Sequence, residues 1–245
     1  MRHIAGSGLL YRAGRTNRAL KRLLDLEVAA ILLVLCAPFI VLLAIAIKID
    51  SRGPVLFRCR RVGLSGREFS MLKFRKMWDG AGGPPLTTAV DDRLTRLGRF
   101  LAASKLDELP QLWNVIKGDM SLVGPRPEDP AFVRLAQDEY DEILSVRPGI
   151  TGLSQLAFAR EGEILDGDDR IAHYVAAIFP QKRALDAFYA SCRSIRMDLA
   201  ILFWTVRAVV TRCDVAVDRH TAKLSLRRRQ PAPALAMEES TVASQ

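Results

Sequence analysis

The sequence predicts an α+β fold that is mostly helical, with a re-entrant membrane helix, a small β-hairpin and a helical cytoplasmic domain that carries amphipathic surface helices. Three observations predict it: one long apolar run near the N-terminus, one stretch with strand-like alternation, and later segments with leucine at helical spacing. We divide the 245 residues into a basic arm (1–20), the membrane helix (21–50), the cytoplasmic domain (51–217) and a disordered tail (218–245).

The membrane helix is predicted from the 20 apolar residues Val28 to Ile47, a run long enough to cross a bilayer. The run is too long, and starts too late, for a cleaved signal peptide. Basic residues flank it on both sides: Arg12, Arg15, Arg18, Lys21 and Arg22 before it, and Lys48, Arg52, Arg58, Arg60 and Arg61 after it. Short basic flanks stay in the cytoplasm, so we expect a helix that enters, bends at Ala37-Pro38 and returns. An ordinary spanning helix with a proline kink remains the alternative.

The hairpin follows Gly53-Pro54, with a turn near Leu64 to Gly66 and a return strand from Phe69 to Met77. Asp91-Asp92 is expected to cap a helix containing Leu94, Leu97 and Leu101. Two further helices are expected: one from Pro130 to Leu144, and an amphipathic one with Leu199, Leu202, Phe203, Val206 and Val209 or Val210. The amphipathic helix suits either the membrane surface or the core of the domain.

The net charge of +9 and the isoelectric point near 9.8 predict anionic partners, such as lipid head groups, nucleic acid or phosphorylated small molecules. The four cysteines lack the spacing of a zinc site or a disulfide framework, so we expect reduced thiols.

The most informative segment runs from Ser104 to Gly118. Its apolar residues recur at helical spacing and Gly118 is a natural helix end. Pro110 damages a helix interior, so the helix should begin just before it, with Asp107 near the N-cap. Asp107 and Glu108 then lie at the positive end of a helix, which favours ionised carboxylates and also attracts phosphate. Helix capping alone is the simpler interpretation of Asp107.

A second candidate segment follows directly, ending in Pro125-Arg126-Pro127. An arginine between two prolines has little backbone freedom and can present its guanidinium to a phosphate at low entropic cost. The simpler interpretation is a stiff loop with a solvated arginine.

Together these motifs resemble the bacterial sugar transferases, or monotopic phosphoglycosyl transferases, over roughly residues 20 to 210. The resemblance rests on several ordered motifs: Lys21-Arg22 with Asp25, Gly53 to Phe57, Lys73 to Met77, Leu106 to Leu112, Gly118 to Pro127, and Arg147 to Gly152. Larger members of that family carry extra N-terminal spanning helices, which we do not find in this sequence.

The resemblance implies transfer of a sugar-1-phosphate from a UDP-sugar to a polyprenyl (undecaprenyl) phosphate, with release of UMP, at the cytoplasmic face of the bacterial inner membrane. This is the initiating step of exopolysaccharide, capsule, O-antigen or glycoprotein glycan assembly. It further implies a re-entrant helix, Asp107 as nucleophile, and Glu108 as a ligand of the cofactor Mg²⁺. The basic positions expected around the phosphates are Lys73, Arg75, Lys105, Arg126 and Arg147. A homodimer is compatible with this assignment.

Two positions depart from the family pattern. Ala102 replaces a frequent arginine five residues before Asp107, where Lys105 can supply the charge. Ser154 to Ala159 replaces a frequent Ala-Gln-Val-Asn-Gly-Arg run, which leaves the sugar and the exact acceptor open.

Two other classes of function compete with this assignment. A membrane-anchored module that only binds anionic lipid would need no carboxylate pair. A nucleic-acid-binding protein is suggested by charge alone, and the sequence shows no docking motif or interleaved stacking aromatics, so we expect no nucleic-acid partner.

Overall fold

The computed structural model describes residues 18–83, 91–159, 170–218 and 221–226. It confirms a mostly helical α+β fold in which helices surround three two-stranded sheets. The first helix, α1, spans Arg18–Asp50 and continues across Pro38 without interruption. Ala37 and Pro38 are both exposed on it. The re-entrant path stays a prediction, and most of the predicted basic arm lies outside the described residues.

The predicted hairpin is confirmed. Strand β1 (Leu56–Val62) pairs antiparallel with β2 (Glu68–Phe74), and Leu56 lies opposite Phe74. The turn between them contains Ser65 and Gly66, both with positive φ. β2 ends at Phe74 rather than Met77, which instead forms an isolated bridge with Leu94.

The predicted cap of the next helix was wrong. Helix α2 spans Arg96–Ser104, and its N-cap is Thr95, whose Oγ1 accepts a hydrogen bond from the Gly98 N–H at 2.9 Å. Asp91 is not available as a cap because it forms an ion pair with Arg93 at 2.7 Å. Leu94 therefore precedes the helix.

The middle of the chain contains short elements. These are α3 (Gln111–Lys117), β3 (Ser121–Val123), α4 (Pro130–Leu135), α5 (Gln137–Tyr140) and β4 (Gly149–Thr151). Strands β3 and β4 pair in parallel. The single helix expected from Pro130 to Leu144 was wrong, because Ala136 has non-helical dihedral angles (φ −145°, ψ 43°). The resulting bend lets Phe132 and Tyr140 enter the same apolar cluster.

The last part of the described chain contains two long helices and a second hairpin. Its elements are α6 (Leu153–Ala157), α7 (Arg170–His173), a π-helical segment (Tyr174–Ile178), α8 (Phe179–Cys192), α9 (Ile195–Thr211), β5 (Val215–Val217) and β6 (Leu224–Leu226).

The predicted disordered tail (218–245) was therefore wrong for part of its length. β6 pairs antiparallel with β5, and Leu226 lies opposite Val215. Val215 and Ala222 are buried in the main core cluster, so this hairpin is part of the folded domain. A strand of three residues has too little alternation to be recognised in the sequence. The rest of the tail, from residue 227 onward, lies outside the described residues.

The amphipathic pattern of α9 was compatible with either the membrane surface or the core of the domain, and the structure shows that one face packs on the core. Met197 and Ile201 are buried in the core, so one face packs against the domain. The opposite face carries the exposed side chains Leu199, Phe203, Val206 and Val210, which follow the spacing i, i+4, i+7, i+11. An apolar stripe on the outer face of a packed helix is typical of a surface that contacts lipid or another protein.

The start of α1 is joined to the domain by polar contacts. Arg22 donates hydrogen bonds to the carbonyl oxygens of Val115 (2.8 Å) and Ile116 (3.1 Å) in the last turn of α3, where the Val115 oxygen also accepts from the Gly118 N–H at 3.1 Å. Asp25 accepts from the Ser121 hydroxyl at 2.7 Å. Lys21 and Asp25 anchor the start of α1, since Lys21 also pairs with Asp198 at 2.8 Å, and the sequence had predicted this role for neither residue.

Candidate active site

Asp107 lies in a single 3₁₀ turn, Leu106–Glu108, between α2 and α3. The preceding residue, Lys105, has a left-handed backbone (φ 59°, ψ 14°), which ends α2 and reverses the chain. Helix α3 begins only at Gln111, with Pro110 as its N-cap, so Asp107 lies about one turn before the N-cap instead of at it, and among the described residues no side chain caps the turn or α3. The predicted helix end at Gly118 (φ 98°) is confirmed.

The Asp107 turn packs against the C-terminal half of α1. Leu106 and Leu109, on either side of the carboxylates, pack against the apolar cluster that contains Leu43 and Ile47 of α1 together with Phe74 and Leu101. Burial of these side chains fixes the turn, because moving it would expose apolar surface.

Asp107 itself is almost completely buried, at 2% exposure. The nearest cation that faces it is Lys76, whose Nζ lies 3.6 Å from Asp107 Oδ2. Burial lowers the pKa of Lys76, Asp107 opposes that shift, and the neighbouring charges of Lys73 and Lys105 add to it. Asp107 is the N-cap of neither the 3₁₀ turn nor α3, so helix capping does not explain why its carboxylate is buried.

Lys76 was missed by the sequence interpretation, although it belongs to the quoted segment Lys73 to Met77. Strand alternation could not identify Lys76, because β2 ends at Phe74 and the direction of later side chains no longer follows from the strand pattern.

Glu108 lies next to three of the predicted cations. Lys73 Nζ donates a hydrogen bond to Glu108 Oε1 at 2.8 Å, and Arg126 and Lys105 add positive charge nearby. Burial would raise the pKa of Glu108, but Lys73 and Arg126 together outweigh burial and lower the pKa to about 2. Glu108 is therefore an anion at neutral pH.

The structure turns the other two predicted cations to different partners. Arg75 is buried, and its Nη2 donates to the backbone oxygen (2.7 Å) and the hydroxyl (2.8 Å) of Ser51 at the end of α1. Its Nη1 lies so close to Gly53 (φ +120°) that a Cβ there would clash, which accounts for glycine at that position. Arg147 Nε donates to the Gly118 oxygen at 3.0 Å, at the opposite end of α3 from Asp107. Phosphate binding by Arg75 and Arg147 stays a prediction.

The Pro125-Arg126-Pro127 loop is held from behind by buried polar groups. The backbone N–H of Arg126 donates to Asp186 Oδ2 at 3.4 Å. Glu128, just after the loop, accepts from the Tyr174 hydroxyl at 3.0 Å, and Lys182 donates to that hydroxyl at 3.0 Å. The loop that presents Arg126 is therefore fixed to α8 and to the π-helical segment.

The donor set at the site fits Mg²⁺ in one specific way. Among the described residues no three His, Cys, Asp or Glu side chains cluster together, so these residues form no all-protein metal cage. Mg²⁺ is commonly bound by one or two carboxylates together with substrate phosphates and water. The adjacent Asp107 and Glu108 carboxylates suit that open arrangement.

Comparison with known proteins places this constellation in a family. Residues 16–212 match the family described as bacterial sugar transferase. A UDP-glucose:undecaprenyl-phosphate glucose-1-phosphate transferase of Caulobacter vibrioides is 42% identical over 196 residues, covering 78% of this chain and 70% of that protein.

Two further relatives are longer. An undecaprenyl-phosphate glucose phosphotransferase of Komagataeibacter xylinus is 40% identical, covering 76% of this chain and 35% of its own length. A UDP-N-acetylgalactosamine-undecaprenyl-phosphate N-acetylgalactosaminephosphotransferase of Aeromonas hydrophila is 36% identical, covering 78% and 44%. The chain spans less than half of these two proteins. With a match over most of its described residues, including the whole Asp107 site, the chain belongs to the bacterial sugar transferase family.

Proposed function

We propose that this protein transfers a sugar-1-phosphate from a UDP-sugar to undecaprenyl phosphate or a related polyprenyl phosphate and releases UMP. The observation that carries the proposal is the buried Asp107 carboxylate, which faces Lys76 and adjoins a Glu108 kept ionised by Lys73 and Arg126. The names of the relatives support the donor and acceptor, since they specify UDP-sugars and undecaprenyl phosphate.

The chemistry follows from these charges. A diphosphate repels an anionic nucleophile, so cations have to neutralise it before a carboxylate can approach phosphorus. That charge is supplied from three separate segments of the chain, by Lys73, Lys105 and Arg126. Mg²⁺, held by Glu108 with Asp107 beside it, would supply further charge neutralisation on the diphosphate.

The transfer proceeds in two displacements. A carboxylate oxygen of Asp107 attacks the phosphorus that bears the sugar, the bond from that phosphorus to the bridging oxygen breaks, and UMP leaves with the bonding electron pair. An oxygen of the polyprenyl phosphate then attacks the same phosphorus, and the bond to Asp107 breaks. The lipid-linked sugar diphosphate leaves and the carboxylate is regenerated.

The contacts of α1 support a re-entrant helix. Its first turns contact α3 through Arg22, and its last turns contact Phe74 and Leu101 through Leu43 and Ile47. A helix that crossed the bilayer would have ends separated by about 30 Å of hydrocarbon. One domain on one side of the membrane could not pack against both. Basic flanks favour the cytoplasmic face of the inner membrane for that side.

The middle of α1 supports insertion into lipid. Its apolar side chains Ile31, Val34, Leu35 and Leu42 are more than half exposed, and nothing in the described part of the chain covers them. Such a continuous apolar surface is stable only in contact with lipid or another protein.

The test is a panel of UDP-sugars offered to the full-length protein in detergent with Mg²⁺ and undecaprenyl phosphate, with UMP release as readout. Without acceptor, one equivalent of UMP should appear, and intact-protein mass spectrometry should show one added phosphosugar on the Asp107 peptide. Asp107→Asn should abolish both signals while Asp92→Asn, an exposed acid, leaves them unchanged. Near-native turnover by Asp107→Asn would overturn the covalent mechanism, and no UMP release with any sugar would overturn the activity.

A further inference from the structure

The outer edge of strand β2 is closed by a side chain rather than by another strand. Asn114, on α3, accepts a hydrogen bond from the Leu72 N–H at 2.9 Å through Oδ1 and donates to the Ser70 carbonyl at 2.8 Å through Nδ2. Its carboxamide therefore makes the same two contacts that a neighbouring strand would make. Ser70 and Leu72 are two residues apart, so this one side chain holds β2 in a fixed register relative to α3.

Asn114 is held in one orientation by everything around it. It is 1% exposed, and its Nδ2 also lies 3.2 Å from Asp119 Oδ2. Its own backbone oxygen accepts from the N–H groups of Gly118, Asp119 and Met120 at the end of α3. Only an amide in this orientation satisfies both β2 and Asp119, because the acceptor and donor positions differ.

The Asn114 contact connects α3 to β2, and β2 in turn contacts Glu108 through Lys73. Lys73 follows Leu72 directly in β2, and its Nζ meets Glu108 at 2.8 Å. Glu108 leads through Leu109 and Pro110 into α3, which carries Asn114 back to β2. A slip of β2 by one residue would turn Lys73 to the other face of the strand. Pairing with β1 opposes such a slip from one edge of β2, and the Asn114 contact opposes it from the other edge by hydrogen bonds from α3.

We propose that Asn114 is a positioning residue for the transfer reaction: its carboxamide sets the register between β2 and α3 and so keeps Lys73 on Glu108. The inference rests on the proposed function for its kinetic consequence, although the geometry that it describes does not. A residue with a purely structural role would lower stability without acting through Lys73.

The first test is a double-mutant cycle of Asn114→Ala with Lys73→Gln, read as kcat and KM for UMP release. In the wild-type background Asn114→Ala should lower kcat at least tenfold. In the Lys73→Gln background it should lower kcat less than twofold, because the group that it positions is already gone. Thr205→Val is the matched control, since it removes a part-buried side-chain hydrogen bond to Thr151 (2.7 Å) that involves neither α3 nor β2 and should act equally in both backgrounds.

Equal loss of kcat from Asn114→Ala in both backgrounds would overturn the proposal. If Asn114→Ala does not fold, Asn114→Asp takes its place in the cycle, because it keeps the acceptor for Leu72 and loses the Nδ2 donor to Ser70 and Asp119.

A second readout does not depend on activity. Lys73 is shielded by Glu108, so its acetylation by a water-soluble N-hydroxysuccinimide ester, followed by mass spectrometry, should be slow in the wild type. Asn114→Ala should speed acetylation of Lys73 severalfold, Glu108→Gln should do the same as a positive control, and Thr205→Val should leave the rate unchanged. An unchanged rate in Asn114→Ala would refute the positioning role even in a protein that releases no UMP, whereas a faster rate without any UMP release would refute the proposed function alone.

Discussion

Asp186 lies behind the loop that presents Arg126, and its Oδ2 accepts a hydrogen bond from the Arg126 backbone N–H at 3.4 Å. Its other oxygen, Oδ1, is buried and has no hydrogen-bond partner in the part of the chain that the structure describes. Burial raises the pKa of Asp186 to about 7, although Ser154 and Lys182 oppose that shift and Glu128 adds to it. The carboxyl group thus gains a proton more readily in the folded protein than in the unfolded chain.

This pKa predicts how stability changes with pH. A raised carboxyl pKa stabilises the fold below the unfolded value near 4, and that stabilisation is lost as the pH rises towards 7. Asp186→Asn removes the titration. The free energy of unfolding of the variant minus that of the wild type should therefore increase from pH 5 to pH 8, by roughly 2 kcal/mol at about 1.4 kcal/mol per pKa unit. Denaturant unfolding at both pH values measures this change. Asp92→Asn should show no such trend, and an Asp186→Asn curve parallel to that of the wild type would contradict the assignment.

Lys76 is expected to be essential although its contact with Asp107 is only an ion pair at 3.6 Å. Lys76→Met removes the cation that faces the nucleophile, and loss of one such electrostatic group typically costs about 10²- to 10³-fold in kcat. UMP release under saturating donor measures the change. Lys117→Met, which removes an exposed lysine paired with Asp119 at 3.2 Å, should leave kcat within about twofold. Comparable losses in the two variants would mean that Lys76 acts only through stability.

Local signals account for what the sequence predicted correctly. The hairpin alternation, the positive-φ turn at Ser65-Gly66 and the helix end at Gly118 depend on neighbouring residues, and each was found where expected. The grouping of Lys73 and Arg126 with the carboxylates came from the family resemblance, since nothing local specifies which distant cation meets Glu108.

The failures have two physical origins. Asp91 and Thr95 are both good caps, and Asp91 is instead paired locally with Arg93, two residues later, while Thr95 caps α2. Arg147 has a guanidinium suited to phosphate, yet its Nε donates to the carbonyl oxygen of Gly118, 29 residues earlier. The second choice depends on a tertiary contact, which residues near Arg147 in the sequence do not specify.

The topology of α1 can be tested by labelling. In a variant whose four native cysteines are replaced by serine, single cysteines at Ser7 and Ser65 should both be shielded from an impermeant thiol reagent in intact cells, because the proposed re-entrant helix has both ends in the cytoplasm. Both should react once the cells are permeabilised. Labelling at Ser7→Cys alone in intact cells would indicate a spanning helix, and failure of either site to react after permeabilisation would call for a neighbouring position.

The C-terminal hairpin predicts a sharp boundary for truncation. A chain ending at Lys223 loses β6 and leaves β5, which includes the buried Val215, without its partner strand. We therefore expect a loss of roughly 1–2 kcal/mol in the free energy of unfolding. Each kcal/mol lowers the melting temperature by about 2–4 °C. A chain ending at Leu226 keeps the whole hairpin and serves as the control. Its melting temperature and UMP release should match those of the full-length protein. If both truncations melted at the temperature of the full-length protein, the β5–β6 pairing would contribute nothing measurable to stability, and this expectation would be wrong.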